Sequence, residues 1–431
     1  MAPSGVVNTF LIMMTTSPAP PATPVRLGPI DRAARSLGPD LARGFLLLFI
    51  ALANVWGYLY DRPMEPSGRP TDASGWDHLA DGLTAFFADD RSRPMFAILY
   101  GFGLAVMASR TAAKGLDDKD VRRVLRRRSV GLMVLGALHA GLLFGGDILA
   151  AYGATGLVAL ALVNRRAAVL WRWFAASLLV SVAVPAVFSM LVLEEDTVVE
   201  QAPSYLASMG DRLIGSAFMM TVSVLALLFI PHVVVGILVQ RAGWLTRPWE
   251  HRRILGRVAA WTAVGNLVLN LPWALRVARV WEPDESLWTP IALAHDLSGF
   301  AMGLGYICFF GWLAARWHDR PRSAVVTGVT AVGERSLTCY LLQSVMLAPL
   351  LSSWGLGWGA WMGTAQAAAL AVGVWATTVL VALALHRAGR RGPFEVLLRR
   401  WVYRRGYVPS RPAADDGGAA LPAGPAAAVP A

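Results

Sequence analysis

Ten apolar stretches alternate with short polar ones along the chain, near residues 44–60, 94–109, 129–145, 147–164, 173–193, 213–240, 255–275, 289–315, 336–352 and 364–386. A helix that crosses a bilayer needs about 20 predominantly apolar residues, and most of these stretches approach that length. The second and third are short, while the sixth and eighth are long enough to tilt or to include an interfacial turn. The pattern predicts an all-α, polytopic membrane bundle of about ten transmembrane helices. Between the first two, LADGLTAFFADD places Leu79, Leu83, Phe86 and Phe87 at helical spacing among acidic residues. That predicts an amphipathic helix lying on the outer surface.

Basic residues orient the bundle. With the amino terminus inside, the inner segments carry 32 Lys and Arg and the outer segments 7. Cytoplasmic loops are enriched in these residues, so both termini are expected inside. Composition agrees, since 55% of the 431 residues are hydrophobic and 16% charged, the profile of a multi-pass protein of a bacterial plasma membrane and not of a soluble domain. The net charge of +11 sits between spans, which excludes a nucleic-acid footprint and points to anionic lipid on the cytosolic face. Cys308 and Cys339 fall inside apolar runs, so neither a disulfide framework nor a paired zinc site is expected, and no metal is assigned. Residues 1–31 and the Pro-, Gly- and Ala-rich 406–431 read as disordered tails around one transmembrane unit, 32–405, with a first part at 32–164 and a C-terminal part at 213–405.

Candidate chemistry comes from the polar residues inside the spans. In LGALHAGLLFGGDILAAYG, Gly145 and Gly146 make a tight turn, Asp147 is placed to cap the next helix, and His139 lies about 9 Å below the turn at 1.5 Å per residue. Tyr152, about 7.5 Å below Asp147, is expected at a similar level. Intramembrane ionisable groups are expensive and face a protein interior or a watery cavity. His139 is therefore either a structural histidine bonded to a neighbouring helix or a catalytic one. LAHDLSGF offers His295 beside Asp296 as a second catalytic candidate. His232 reads as a partner for backbone groups freed by Pro231. Asp40, Arg43 and Asn54 share a stripe of the first span, and Ser336, Tyr340 and Gln343 one face of the ninth; with Arg93 and Tyr152 they are candidate substrate-binding groups. Asn266 and Asn270, a turn apart, read as glue between helices. In VRRVLRRRSV, Arg122, Arg126, Arg127 and Arg128 set topology or hold the phosphates of a cytosolic donor.

The order LGPDLARG…N, RPMFAILYGFG, RRRSVGLMVLGALHAGLLFGGDILAAYG, GERSLTCYLLQS and GPFEVLLRRWVY resembles the YeiB-like family of bacterial membrane proteins, long classed as a domain of unknown function. The match runs from about residue 32 to 405. Singly the motifs are modest, and five in order at this span count are specific. Asp40, Arg43, Gly44, Asn54, Gly101, Gly103, His139, Asp147, Tyr152, Gly333, Ser336, Thr338, Gln343, Gly392, Pro393 and Glu395 match the family pattern, while Pro39 replaces its Leu and Tyr100 its Phe. YeiB-like proteins look like distant relatives of transmembrane acyltransferases, which take an acyl group from a cytosolic thioester and pass it to an acceptor on the other side by way of an intramembrane histidine. The resemblance implies no tightly bound cofactor, acyl-CoA (acetyl-CoA) as co-substrate, and a cell-envelope glycan or small molecule as acceptor. On this expectation His139, His295 or His78 is the active imidazole, and Asp147 or Tyr152 orients it. Two other functions stay open: a transporter or flippase for a lipid-linked or small amphiphilic substrate, and a non-catalytic membrane protein.

Overall fold

The computed structural model describes residues 36–403 except 66, 192–196, 199–203 and 319–320, with backbone alone at 185–191 and 197–198. Both tails of the sequence reading lie outside these residues. The helices are α1 (Leu37–Val55), α2 (Trp76–Phe87), α3 (Ser92–Ala112), α4 (Asp118–Leu142), α5 (Leu149–Ala159), α6 (Ala167–Leu191), α7 (Tyr205–Leu225), α8 (Ile230–Arg241), α9 (Arg252–Val277), α10 (Trp288–Arg316), α11 (Ala324–Glu334), α12 (Ser336–Leu351), α13 (Thr364–Arg387) and α14 (Pro393–Val402). Two dipeptide strands, β1 (Pro63–Met64) and β2 (Thr197–Val198), pair antiparallel.

Where the sequence supplies a capping side chain, a helix starts on it. Asp117 accepts from the Asp120 N–H at 2.8 Å before α4, Ser204 from Ala207 at 3.2 Å before α7, and Ser323 from Val326 at 3.3 Å before α11. Each satisfies one of the backbone donors a helix start leaves free.

Among the described residues six helical stretches are long and apolar enough to cross a membrane, or seven if the bent pair α7–α8 is one span. The rest of the ten apolar runs are shorter or more charged. The run 213–240 is two helices meeting at 64°, with Leu227 in the left-handed region at φ 52° between them. Only a break in the helix accommodates that conformation in a residue with a Cβ. Pro231 opens α8 within its first turn, where a proline removes no helical hydrogen bond, and the His232 ring packs on Phe300 at 4.3 Å. The polar-flanked segment 316–335, read as an inner loop, contains α11. Its eleven residues are too few to register as a span.

Packing separates inner from peripheral helices. α1, α3 and α10 are mostly buried, whereas α6, α9 and α13 expose large apolar side chains such as Trp261 at 74% and Leu380 at 67%. Water would oppose such a surface and lipid accepts it. Glycines let the inner backbones touch: a Cβ at Gly44 would run into the Val329 carbonyl and one at Gly333 into the Asp40 carbonyl, so α1 and α11 cross in direct contact. Gly101 meets Val233, and Gly236 meets Ile98, in the same way between α3 and α8. The amphipathic α2 forms as expected, with Leu79, Leu83 and Phe87 about half exposed. Its acidic edge turns inward, where Asp81 is fully buried 3.3 Å from Arg69. Cys308 and Cys339 are buried thiols within the packing.

Candidate functional site

The α4–α5 hairpin places His139 against Asp147. A Cβ on Gly136 would overlap the Ala150 N–H and the Asp147 carboxylate, so only glycine lets the start of α5 sit on α4 one turn before His139. Asp147 then divides its oxygens. Oδ2 accepts from the Ala150 N–H at 2.9 Å, capping α5, and Oδ1 accepts from His139 Nδ1 at 2.8 Å. Tyr340 of α12 donates to the same Oδ1 at 3.3 Å, its ring 5.0 Å from the imidazole. One carboxylate thus both caps α5 and holds the imidazole. The side chains of His139 and Asp147 are 1% and 0% exposed, so the pair is shut away from lipid and water alike, as a buried charged group requires of its partners.

With Nδ1 donating to the carboxylate, the neutral imidazole keeps its lone pair on Nε2. That atom is buried and meets no hydrogen-bond partner among the described residues. Tyr58, buried and stacked on Phe144 at 4.8 Å, packs at the turn end of the hairpin. Arg212 closes the end of α4 by donating to the Gly141 carbonyl at 2.9 Å. Chemically the arrangement is an oriented imidazole with an open basic nitrogen, the geometry of a general base held by a carboxylate.

His295 belongs to a different centre. The turn between α2 and α3 carries Arg91, fully buried, which donates to Asn266 Oδ1 at 3.0 Å and Ser298 Oγ at 2.7 Å and lies 3.1 Å from His295 Nδ1. His295 Nδ1 also meets Asn270 Oδ1 at 2.7 Å, and Nε2 meets Asp90 at 3.2 Å. Asn270 donates in turn to the Ala85 and Phe86 carbonyls. The cluster clasps α2–α3 to α9 and α10, so the asparagines act as the glue expected of them. Asp90, His295 and Asp296 are close enough to hold a cation, but Arg91 lies against the imidazole and Arg93 pairs with Asp90. Two guanidinium charges at the same donors oppose a metal there.

Other expected residues scatter. Tyr152 donates to the Arg93 carbonyl at 2.8 Å and packs on Phe96 and Phe229, so Tyr340, and not the expected Tyr152, stands beside the imidazole. Gln343 donates to the Leu47 carbonyl at 3.0 Å, joining α12 to α1. Asp40 pairs with Arg43 at 3.0 Å, and Asn54 and Ser336 are half-buried. His78 meets the Ala73 carbonyl at 3.0 Å near the start of α2. Arg122 and Arg126 are exposed and Arg127 and Arg128 half-buried at the charged end of α4. Arg91 gave no signal in the sequence, because in ADDRSRP it is one charge among several in an outer segment. Glu395 was legible only as part of a motif; it accepts from Leu337 N, Thr338 N and Thr338 Oγ1 and so caps α12 from α14.

Residues 239–405 match the family model described as "Protein of unknown function (DUF418)". The chain is also similar to the uncharacterized protein YeiB of Escherichia coli (strain K12), 25% identical over 399 residues that cover 86% of this chain and 97% of that protein. Over 396 residues, covering 84% and 93%, it is 25% identical to the uncharacterized protein YxaH of Bacillus subtilis (strain 168). The chain is thus all-helical with apolar helices of membrane-spanning length, is similar over most of its length to YeiB and YxaH, and matches the DUF418 family over residues 239–405.

Proposed function

We propose that this YeiB-like protein transfers an acyl group from a thioester to a hydroxyl or amine acceptor, with His139 as general base. One observation carries the reading: Asp147 fixes Nδ1 of a buried imidazole while its buried Nε2 has no hydrogen-bond partner among the described residues. Nε2 takes the acceptor's proton as the acceptor oxygen or nitrogen attacks the thioester carbonyl. The C–S bond then breaks, and the imidazolium returns that proton to the leaving thiolate. Asp147 stabilises the imidazolium, and Tyr340, bonded to the same oxygen, holds the carboxylate in place. Acetyl-CoA is the donor in this scheme, its phosphates held by Arg122, Arg126, Arg127 and Arg128 on the cytosolic side. The acceptor is a cell-envelope glycan or small molecule on the other side. The reading includes ten membrane passes in the bacterial plasma membrane with both termini inside.

The test follows radiolabel from acetyl-CoA into an envelope extract with purified protein in lipid vesicles. Label transfer should fall by about 10²–10⁴ in His139→Gln; equal transfer by the variant removes His139 from the role. A second reading, transport of an amphiphilic substrate, is favoured by the 64° break between α7 and α8, because interrupted helices form binding sites in transporters. Substrate counterflow in vesicles without thioester, unaffected by His139→Gln, would select it.

A further inference from the structure

The carboxyl-terminal helix α14 lies across the charged end of α4. Trp401 Nε1 donates to the Arg127 carbonyl at 3.0 Å, and Leu398 and Trp401 fill the notch left by Gly131, where a Cβ would come within 2.7 Å of Leu398 and 2.9 Å of Trp401. Beside this contact is a crevice of about 620 Å³, lined by Arg391, Val396, Arg399, Arg400 and Tyr403. That volume falls within the range of small-molecule sites, roughly 300–1,000 Å³. Among the described residues every charged side chain in that lining is an arginine.

We infer that this crevice binds a phosphate-bearing ligand with more than one negative charge, gripped between Arg391 and the Arg399–Arg400 pair. Planar guanidinium forks match phosphate oxygens two at a time, and several around one pocket select a multiply charged group over a lone carboxylate. Leu397 and Trp401, exposed at 51% and 40% on the same short helix, put the crevice at an apolar boundary of the kind an interfacial helix occupies. Phosphate chemistry there has two sources, an anionic lipid headgroup and a soluble phosphorylated compound. The site stands apart from the His139 centre and does not depend on acyl transfer.

Full-length protein in a neutral maltoside detergent is titrated calorimetrically with dihexanoyl phosphatidylglycerol and with coenzyme A, and with dihexanoyl phosphatidylcholine as the zwitterionic control. In Arg399→Gln/Arg400→Gln the Kd of at least one phosphate probe should rise about tenfold or more, the loss expected when charge-assisted bidentate bonds go. Arg391→Gln should weaken the same probe, and it provides an independent variant should the double one fail to fold. Arg252→Gln/Arg253→Gln removes equal charge from α9 and should change affinity less than about twofold, as exposed charges do. Loss confined to phosphatidylglycerol assigns a lipid headgroup, and loss confined to coenzyme A a soluble phosphate. Retention of both affinities in both crevice variants, or an equal loss in the α9 control, overturns the proposal.

Discussion

Glu395 on α14 and Thr338 on α12 are joined at 2.5 Å, hydroxyl to carboxylate, across 57 residues of sequence. The second oxygen of the same carboxylate accepts from the Leu337 and Thr338 N–H groups at 2.8 and 3.1 Å. α12 therefore lacks a cap from its own chain segment and receives one from another helix. Arg335, buried between α11 and α12, ties the same region to the Arg390 carbonyl at 2.8 Å. Two turns of α12 at most separate this cap from Tyr340, so the placement of the hydroxyl on Asp147 depends on it.

Glu395→Ala should lower stability by about 1–3 kcal/mol, the combined effect of losing a helix cap and leaving buried donors unpaired. Thermal unfolding in detergent measures it. Thr338→Val should cost little further in the Glu395→Ala background, since both lose the same bond; full additivity would contradict the trans cap.

Asp147→Asn keeps the shape of the side chain but not its charge. The imidazolium then loses its stabilising partner, and label transfer from acetyl-CoA should fall by about 10²–10⁴ if His139 acts as base. Tyr340→Phe removes a neutral bond to the same oxygen and should have a smaller effect, about 0.5–1.5 kcal/mol in stability or barrier.

Gly333→Ala forces a methyl group into the Asp40 carbonyl and should destabilise by about 1–3 kcal/mol, as overpacking does. Gly373→Ala on α13, where a Cβ meets nothing within 4 Å, should stabilise by up to about 1 kcal/mol through helix propensity. Opposite signs of the two shifts in melting temperature check the α1–α11 crossing.

Arg91→Lys keeps a positive charge yet cannot reach Asn266, Ser298 and His295 together. An unfilled buried network is costly, and a loss of about 2–4 kcal/mol is expected. Arg276→Lys, whose guanidinium only lies over Trp273 and Trp288, should change stability by less than about 1 kcal/mol.

Much was legible before any coordinates. Apolar run length marked the helices, since a backbone in lipid must satisfy its own hydrogen bonds and does so over a fixed number of residues. The pairing of His139 with Asp147 was also open to reading, because only seven residues, including a tight turn, lie between a side chain in the last turn of one helix and one at the entry to the next. The amphipathic period of α2 was read correctly for the same local reason. Tertiary structure alone decided the rest. It made one apolar run into α7 and α8, put Tyr340 instead of Tyr152 beside the imidazole, and drew His295 into a network with Arg91. It also carried Glu395 to the start of α12 and laid α14 across the charged end of α4. Helical spacing fixes which face a side chain occupies, but the neighbour that face meets is set by where glycines allow two backbones to touch, and no periodicity within one segment encodes that.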